Sequence, residues 1–425
     1  MTNLMRCGLV GFVGTVFAVM SGCSAQNSAT PASTVKSSSA AGNENAGKGG
    51  NTGEMGAAPA GGGGVAVENP DYHVYIGTFT NGKSKGVYLM SFDSRTGKLS
   101  SPTLAVVGAS PAFEALHPNQ RFIYAVNEIN NFEGKKTGAV SAFEIQADGN
   151  LKLINQLPSA GTGPTHLTID PTGKSVVVAN YAGGSVAAFR VKEDGSLEGP
   201  TSVDQHWGKG ADRSRQEAPH AHSIYPDPDN RFVLSCDLGL DKVFVYAFDP
   251  TAGTISYHDA GRVDPGSGPR HLAFAPTRHA VYVLNEMSCT VAAFHYDGQK
   301  GALESFQTIS TLPDDFKGDK STAEIFVHPS GKFVYASNRG AANSVTVFAI
   351  GDDGKLTFVD RTSAKVKTPR GMGIDPSGNY LIVGGQQSDT VAVFKIDAQT
   401  GKLTPTGQVV AVPTPVCVTF VPVKK

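Results

Sequence analysis

From about Tyr72 onward, short runs rich in Val, Ile, Ala and Phe alternate with clusters of Gly, Asn, Asp and Pro. Apolar, β-branched runs of roughly four to eight residues bounded by such turn formers read as β-strands. The pattern also repeats. "DPTGKSVVVANYAGGSVAAFRVKEDGSL" (Asp170 to Leu197), "HPSGKFVYASNRGAANSVTVFAIGDDGKL" (His328 to Leu356) and "DPSGNYLIVGGQQSDTVAVFKIDAQTGKL" (Asp375 to Leu403) share one plan. Weaker copies start at His117, Asp227 and Ala275, and the stretch from Tyr72 to Leu99 follows the plan without its opening strand.

Each unit predicts four antiparallel strands. The aromatic closing the third strand recurs as Phe143, Phe189, Tyr246, Phe294, Phe348 and Phe394, spaced 46 to 57 residues apart. Seven such units of hairpin-linked strands imply an all-β fold, a seven-bladed β-propeller. The strand missing from the first unit has a donor in "TPVCVTFVP", Thr414 to Pro422, which matches "GPTHLTIDP" and "GPRHLAFAP" but leads into no further blade. The C-terminal strand is therefore expected to complete the N-terminal blade and close the ring, leaving no open first-to-last edge.

The turn prolines Pro118, Pro171, Pro228, Pro276, Pro329 and Pro376 align the units. Six residues before them stand Ala112, Thr165, His222, Arg270, Ala323 and Arg370; one further on are Phe113, His166, Ser223, His271, Glu324 and Gly371. Ten residues after them stand Glu128, Tyr181, Leu238, Glu286, Arg339 and Gln386. First strands line a propeller's channel and second strands run back beside them, so these columns should meet at one mouth. His222, Arg270, Glu286 and Arg339 form a ring of complementary charge there and are the catalytic candidates. His166, His220, Glu324 and Arg370 are the substrate-binding candidates. Strand alternation would point His220 and His222 the same way. Glu128 and His271 read as structural partners of neighbouring turns, and Arg339 has Glu324 as a salt-bridge alternative. The insertion from His206 to His222, carrying the lone Trp207, is a candidate cover for the mouth.

Composition and charge narrow the functional classes. Lys and Arg number 36 against 37 Asp and Glu, and no basic run suited to a phosphate backbone occurs, so nucleic acid is not an expected partner. His220-Ala-His222 lacks a completing ligand set, so no metal and no cofactor is expected. No Gly-x-Ser-x-Gly elbow offers a nucleophilic serine. Ahead of the repeats, Arg6 and the run "CGLVGFVGTVFAVM" lead to "SGC", Ser21 to Cys23. This resembles a lipoprotein signal, residues 1–22, with Cys23 as the lipidated residue. Residues 23–68 are Gly-, Ala- and Ser-rich and read as a flexible tether to a propeller over 69–425. The expected location is the cell envelope, with membrane contact through the lipid anchor alone. Cys236, Cys289 and Cys417 lie far apart and read as buried small hydrophobes.

"RQEAPHAHS", "CDLGLDKVFVY", "GPRHLAFAP", "AEIFVHPSGKFVYASNRG" and "TPRGMGIDPSG" together resemble the seven-bladed propeller lactonases. That family includes bacterial 6-phosphogluconolactonases and the carboxy-cis,cis-muconate lactonising enzyme. The resemblance spans roughly Tyr72 to Pro422 and implies a site on His222 in "PHAHS", Arg270 in "GPRH", Glu286 in "YVLNE" and Arg339 in "SNRG". It implies metal-independent opening of a sugar lactone; the chain is separately expected to act as a monomer. Glu286 or His222 would activate water, and Arg270 and Arg339 would hold the oxyanion and the substrate's anionic group. The alternatives are a lactone-forming cyclase and a non-enzymatic propeller that binds an extracytoplasmic ligand or protein.

Overall fold

The computed structural model describes residue 67 and residues 70–276 and 280–423. The signal, Cys23 and most of the tether lie outside the described residues. Strands are the only regular structure in the described part, arranged as seven antiparallel sheets, the blades of a propeller. In blades 2 to 7 the strands lie side by side in chain order. In blade 4, for example, Ala221–Pro226, Phe232–Asp237, Lys242–Asp249 and Thr254–Arg262 run from channel to rim.

Blade 1 is assembled from both ends of the repeat region. Pro415–Pro422 pairs antiparallel with Tyr72–Thr78, Tyr72 opposite Pro422 and Gly77 opposite Cys417, and supplies the innermost strand. The closure expected from the orphan strand is therefore present. The outer strand of this blade is split into Lys98–Leu99 and Thr103–Val107, both paired with Gly86–Asp93.

The core lies between blades, where the apolar face of each sheet packs on the next. Val176, Val178, Ala187 and Phe189 of blade 3 meet Phe122, Tyr124, Val140 and Ala142 of blade 2. The repeating aromatics are its largest pieces: Phe189, Tyr246, Phe294, Phe348 and Phe394 are fully buried. Second-strand tyrosines add a polar staple. Tyr75, Tyr124, Tyr282 and Tyr335 donate to the carbonyls of Gly149, Gly195, Gly354 and Gly401, each in the last hairpin of the next blade, at 2.6 to 3.0 Å. These glycines have φ between 71° and 83°, a left-handed turn conformation that explains the recurring "DG" and "TG" of the repeat. Cys236, Cys289 and Cys417 are buried and unpaired, as read from their spacing.

One irregularity recurs in all seven blades and sets up the site. The ladder between innermost and second strands slips in each, at Val416, Ala112, Thr165, His222, Arg270, the Ala323–Glu324 pair and Arg370 in blades 1 to 7. A β-bulge sets two residues against one and re-aims a side chain out of strict alternation. The aligned column six residues before each turn proline is this ring of bulges.

Candidate active site

Because every bulge sits at the same height, the extra side chains converge. They enclose a throat of about 10 Å³ lined by Ala112, Thr165, His222, Arg270, Arg370 and Val416 with Phe113, Glu128, His271 and Glu324. Above it opens a basin of about 390 Å³ lined by Glu128, Thr165, Tyr181, Arg215, His222, Glu286, Ser321, Arg339 and Arg370. The throat has room for little more than a water, whereas the basin suits a small organic ligand.

Glu286 organises the cationic side of the basin. It follows the second strand of blade 5, with its backbone N–H fixed on the Gly268 carbonyl at 2.7 Å. Its Oε2 accepts from Arg270 Nε at 3.0 Å and Arg339 Nη2 at 2.9 Å, and its Oε1 from Arg215 Nη2 at 2.7 Å. Although burial opposes ionisation, Arg339, Arg270 and Arg215 outweigh it and hold the carboxyl down to about 2. Both of its oxygens are already engaged by guanidiniums. These contacts are those of a carboxylate that orients guanidiniums. The Arg339–Glu324 alternative is not formed: Arg339 pairs with Glu286 and donates to the Thr322 carbonyl at 2.6 Å.

The arginines keep donors in reserve. Arg270 uses Nε on Glu286 and Nη1 on the Ala323 carbonyl, and its Nη2 makes no hydrogen bond. Arg339 uses Nη2 twice, leaving Nη1 without a partner, while its Nε is buried without an acceptor. Arg370 has no carboxylate partner and lies over the Phe79 ring at 5.1 Å.

His222 is buried, yet its ring makes no hydrogen bond. Nδ1 is sealed in the wall without a partner, which leaves Nε2 as the nitrogen open to the basin. Tyr181 and His271 pack edge-on against the ring at 5.3 and 5.1 Å. Burial first, then the charge of Arg270, pushes its pKa well below the ordinary imidazole range, so the ring is neutral.

The other candidates divide. His220 precedes the strand, so alternation does not apply to it, and it lines neither basin nor throat. It stacks on Tyr181 at 4.6 Å, contacts the Tyr181 carbonyl through Nδ1 at 3.1 Å and approaches Glu217 at 3.4 Å. His166 lies beneath the throat among Phe113, Tyr225 and His271, its Nδ1 accepting from the Ile224 N–H at 3.3 Å. Glu324 lines the throat and pairs with His271 Nδ1 at 2.7 Å; burial pushes its carboxyl up to about 8. The partner of His271 is therefore this throat carboxyl on the inner strand of the next blade, not a neighbouring turn.

Two charged basin residues are given no functional role by the sequence. The sequence reads Glu128 as a turn partner; among the described residues its carboxylate makes no hydrogen bond, and it lines both throat and basin. Arg215 sits on the insertion, outside the repeat frame, although it opens the "RQEAPHAHS" stretch. The insertion reaches the mouth through Arg215, whereas Trp207 stands 81 % exposed and lines neither cavity. The loop is pinned at its start, middle and end. His206 bonds Asp237 at 2.5 Å and the Tyr246 hydroxyl at 2.6 Å; Gln216 donates to the Leu238 carbonyl and to Asp241, both at 2.8 Å; the His220 N–H donates to Asp237 at 2.9 Å. Among the described residues, no His, Cys, Asp and Glu side chains are grouped to hold a metal ion.

Fold and site together define a class: a closed seven-bladed propeller whose channel bulges build an arginine-rich, small-molecule basin. The profile described as "Lactonase, 7-bladed beta-propeller" matches residues 73–420, and the chain belongs to that family. A 6-phosphogluconolactonase of Bacillus subtilis is 35 % identical over 351 residues, covering 82 % of this chain and 98 % of the relative. One of Formosa agariphila is 32 % identical over 340 residues, covering 78 % and 94 %. The solved periplasmic gluconolactonase of Pseudomonas aeruginosa superimposes with a TM-score of 0.79 at 32 % identity, covering 83 % of this chain and 99 % of that one. The protein is thus a lactonase, a hydrolase of small-molecule lactones.

Proposed function

We propose that this lactonase opens sugar lactones to aldonates in the basin above the channel throat. The observation that carries this reading is the juxtaposition of a neutral imidazole with no hydrogen bond and two guanidiniums with donors to spare. The lactone carbonyl docks against Arg270 Nη2 and Arg339 Nη1, and His222 Nε2 takes a proton from the attacking water. Charge develops on the carbonyl oxygen as the tetrahedral intermediate forms, and donors already fixed by Glu286 stabilise it without reorganising. Glu286 acts by holding Arg215, Arg270 and Arg339 in register.

Arg370 favours a substrate with an anionic substituent, because its guanidinium lines the basin and forms no ion pair within 4 Å among the described residues. The relatives named 6-phosphogluconolactonase support a phosphorylated lactone. The lipoprotein-like leader supports a non-phosphorylated aldonolactone outside the cytoplasm. Comparing kcat/KM on 6-phosphoglucono-δ-lactone and glucono-δ-lactone decides between them. With the phosphorylated lactone as substrate, Arg370→Gln raises its KM roughly tenfold or more while barely changing that of the neutral one. Equal KM changes for both would remove Arg370 as the anion contact. We further propose that lipid on Cys23 holds the domain in the cell envelope. Fatty-acid labelling that persists in Cys23→Ser would overturn that assignment.

A further inference from the structure

Opening a lactone also requires a proton for the ring oxygen that leaves as an alkoxide, and no group assigned above supplies it. Glu286 is locked by three guanidiniums, and His222 has the opposite task. Glu128 is the remaining carboxyl common to throat and basin. It extends from the end of Phe122–Asn127, its backbone N–H held on the Ser110 carbonyl at 2.9 Å, while its side chain makes no hydrogen bond among the described residues. The innermost strands of successive blades contact one another in order around the ring, so blade 2 lies across it from blades 5 and 6, which carry Arg270, Glu286 and Arg339. A lactone carbonyl held by Arg270 and Arg339 therefore presents its remaining bonds towards His222 and Glu128.

We infer that Glu128 is the general acid of the reaction, a catalytic residue that protonates the leaving ring oxygen. This rests on the lactone-opening reading above. His222 Nε2 removes a proton from water, the water oxygen bonds to the carbonyl carbon, and the carbonyl electron pair moves onto oxygen. On collapse the ring C–O bond breaks, its electron pair passes to the ring oxygen, and that oxygen takes the Glu128 proton to become a hydroxyl. Solvent carries the proton from His222 back to Glu128, so the net change is lactone plus water to hydroxy acid. The surroundings suit the task. Burial raises the Glu128 carboxyl above the ordinary range, and Arg370 and Arg270, the charges that oppose this, only limit the rise. It therefore keeps its proton to higher pH than an exposed glutamate does.

The test uses Glu128→Gln, which keeps the shape and loses the acid, with two six-membered lactones. Glucono-δ-lactone expels an alkoxide that needs a proton; dihydrocoumarin expels a phenoxide that does not. The expected result is a roughly 100-fold fall in kcat on the sugar lactone, typical of a lost general acid, with dihydrocoumarin nearly unaffected. An acid must be protonated, so wild-type activity falls as pH rises through the Glu128 pKa, and the variant loses that limb. If the wild-type protein does not turn over dihydrocoumarin, the pH profile on the sugar lactone decides alone. Unchanged sugar-lactone turnover, equal losses on both lactones, or a retained alkaline limb would each overturn the inference. Absence of wild-type turnover on every lactone would instead overturn the broader reading.

Discussion

Replacing Glu286 by Gln separates a carboxylate that organises arginines from one that accepts a proton. The side chain is only 8 % exposed and neutralises Arg270, itself 2 % exposed, together with Arg339 and Arg215. Its carboxyl is held down from 4.5 to about 2. At about 1.36 kcal/mol per unit, this corresponds to roughly 3 kcal/mol of stability. The folded pKa lies below the unfolded one, so this stability is present above pH 4.5 and is lost as pH falls towards 2. Glu286→Gln also leaves two buried guanidiniums without their counter-charge, for which losses of about 3–5 kcal/mol are typical. Thermal and urea unfolding followed by circular dichroism at pH 7 should show a drop of that size. As pH falls from about 5 towards 2 the wild-type protein should converge on the variant. kcat/KM should fall with stability, because the oxyanion donors lose their register. A variant as stable as the wild type but inactive would instead mark Glu286 as a base and refute the orienting role.

Arg215→Ala removes the one arginine of the cluster that is largely exposed, so unfolding should shift by under about 1 kcal/mol while KM for the lactone rises. Deleting residues 415–425 strips Val416, Cys417, Val418 and Val421 from blade 1. At about 1.5–3 kcal/mol each this is of the order of the whole domain's stability, and the melting transition should lose its cooperativity. Tyr335→Phe removes the 2.8 Å staple to Gly401 and should lower the urea midpoint by an amount equivalent to about 1 kcal/mol. Glu324 is raised from 4.5 to about 8, so its contribution is complete below pH 4.5 and disappears as pH rises through 8. Glu324→Gln should therefore gain on the wild type in urea unfolding at pH 9 relative to pH 5.

The fold was legible because each blade repeats its own grammar. The Gly of "DGxL" marks a turn that needs positive φ, and the aromatic of the third strand marks the inter-blade core. The strand Pro415–Pro422 announced its partner by matching strands that open other blades. Much of the throat and basin was legible for the same reason, since repeat alignment carries His222, Arg270, Glu286 and Arg339 to one mouth of the channel. What strand alternation hid is the bulge. A period of two assigns one face to every second residue, yet Arg270 and His271 both face the channel because the ladder slips between Pro269 and His271. The repeat frame, by contrast, sets His220 further out towards the loop than His222, and it does lie outside the strand, where it braces Tyr181. Arg215 was out of reach because an insertion has no repeat frame, and its position depends on Asp237 and Gln216 bonds that no spacing reveals. Glu128 differs again. Its column was found, but whether a carboxylate at a blade mouth is paired or free is a property of neighbours that only the folded ring supplies.

The central claim is that the basin hydrolyses lactones with His222 and the arginine pair as its working parts. Proton release in a pH-stat on glucono-δ-lactone and its 6-phosphate tests it most directly, with wild-type protein, His222→Ala and Arg270→Ala side by side. The account predicts sustained turnover of at least one lactone by the wild type, and losses of roughly 100-fold or more in both variants. Saturable binding without turnover, or hydrolysis that survives loss of Arg270, would contradict it.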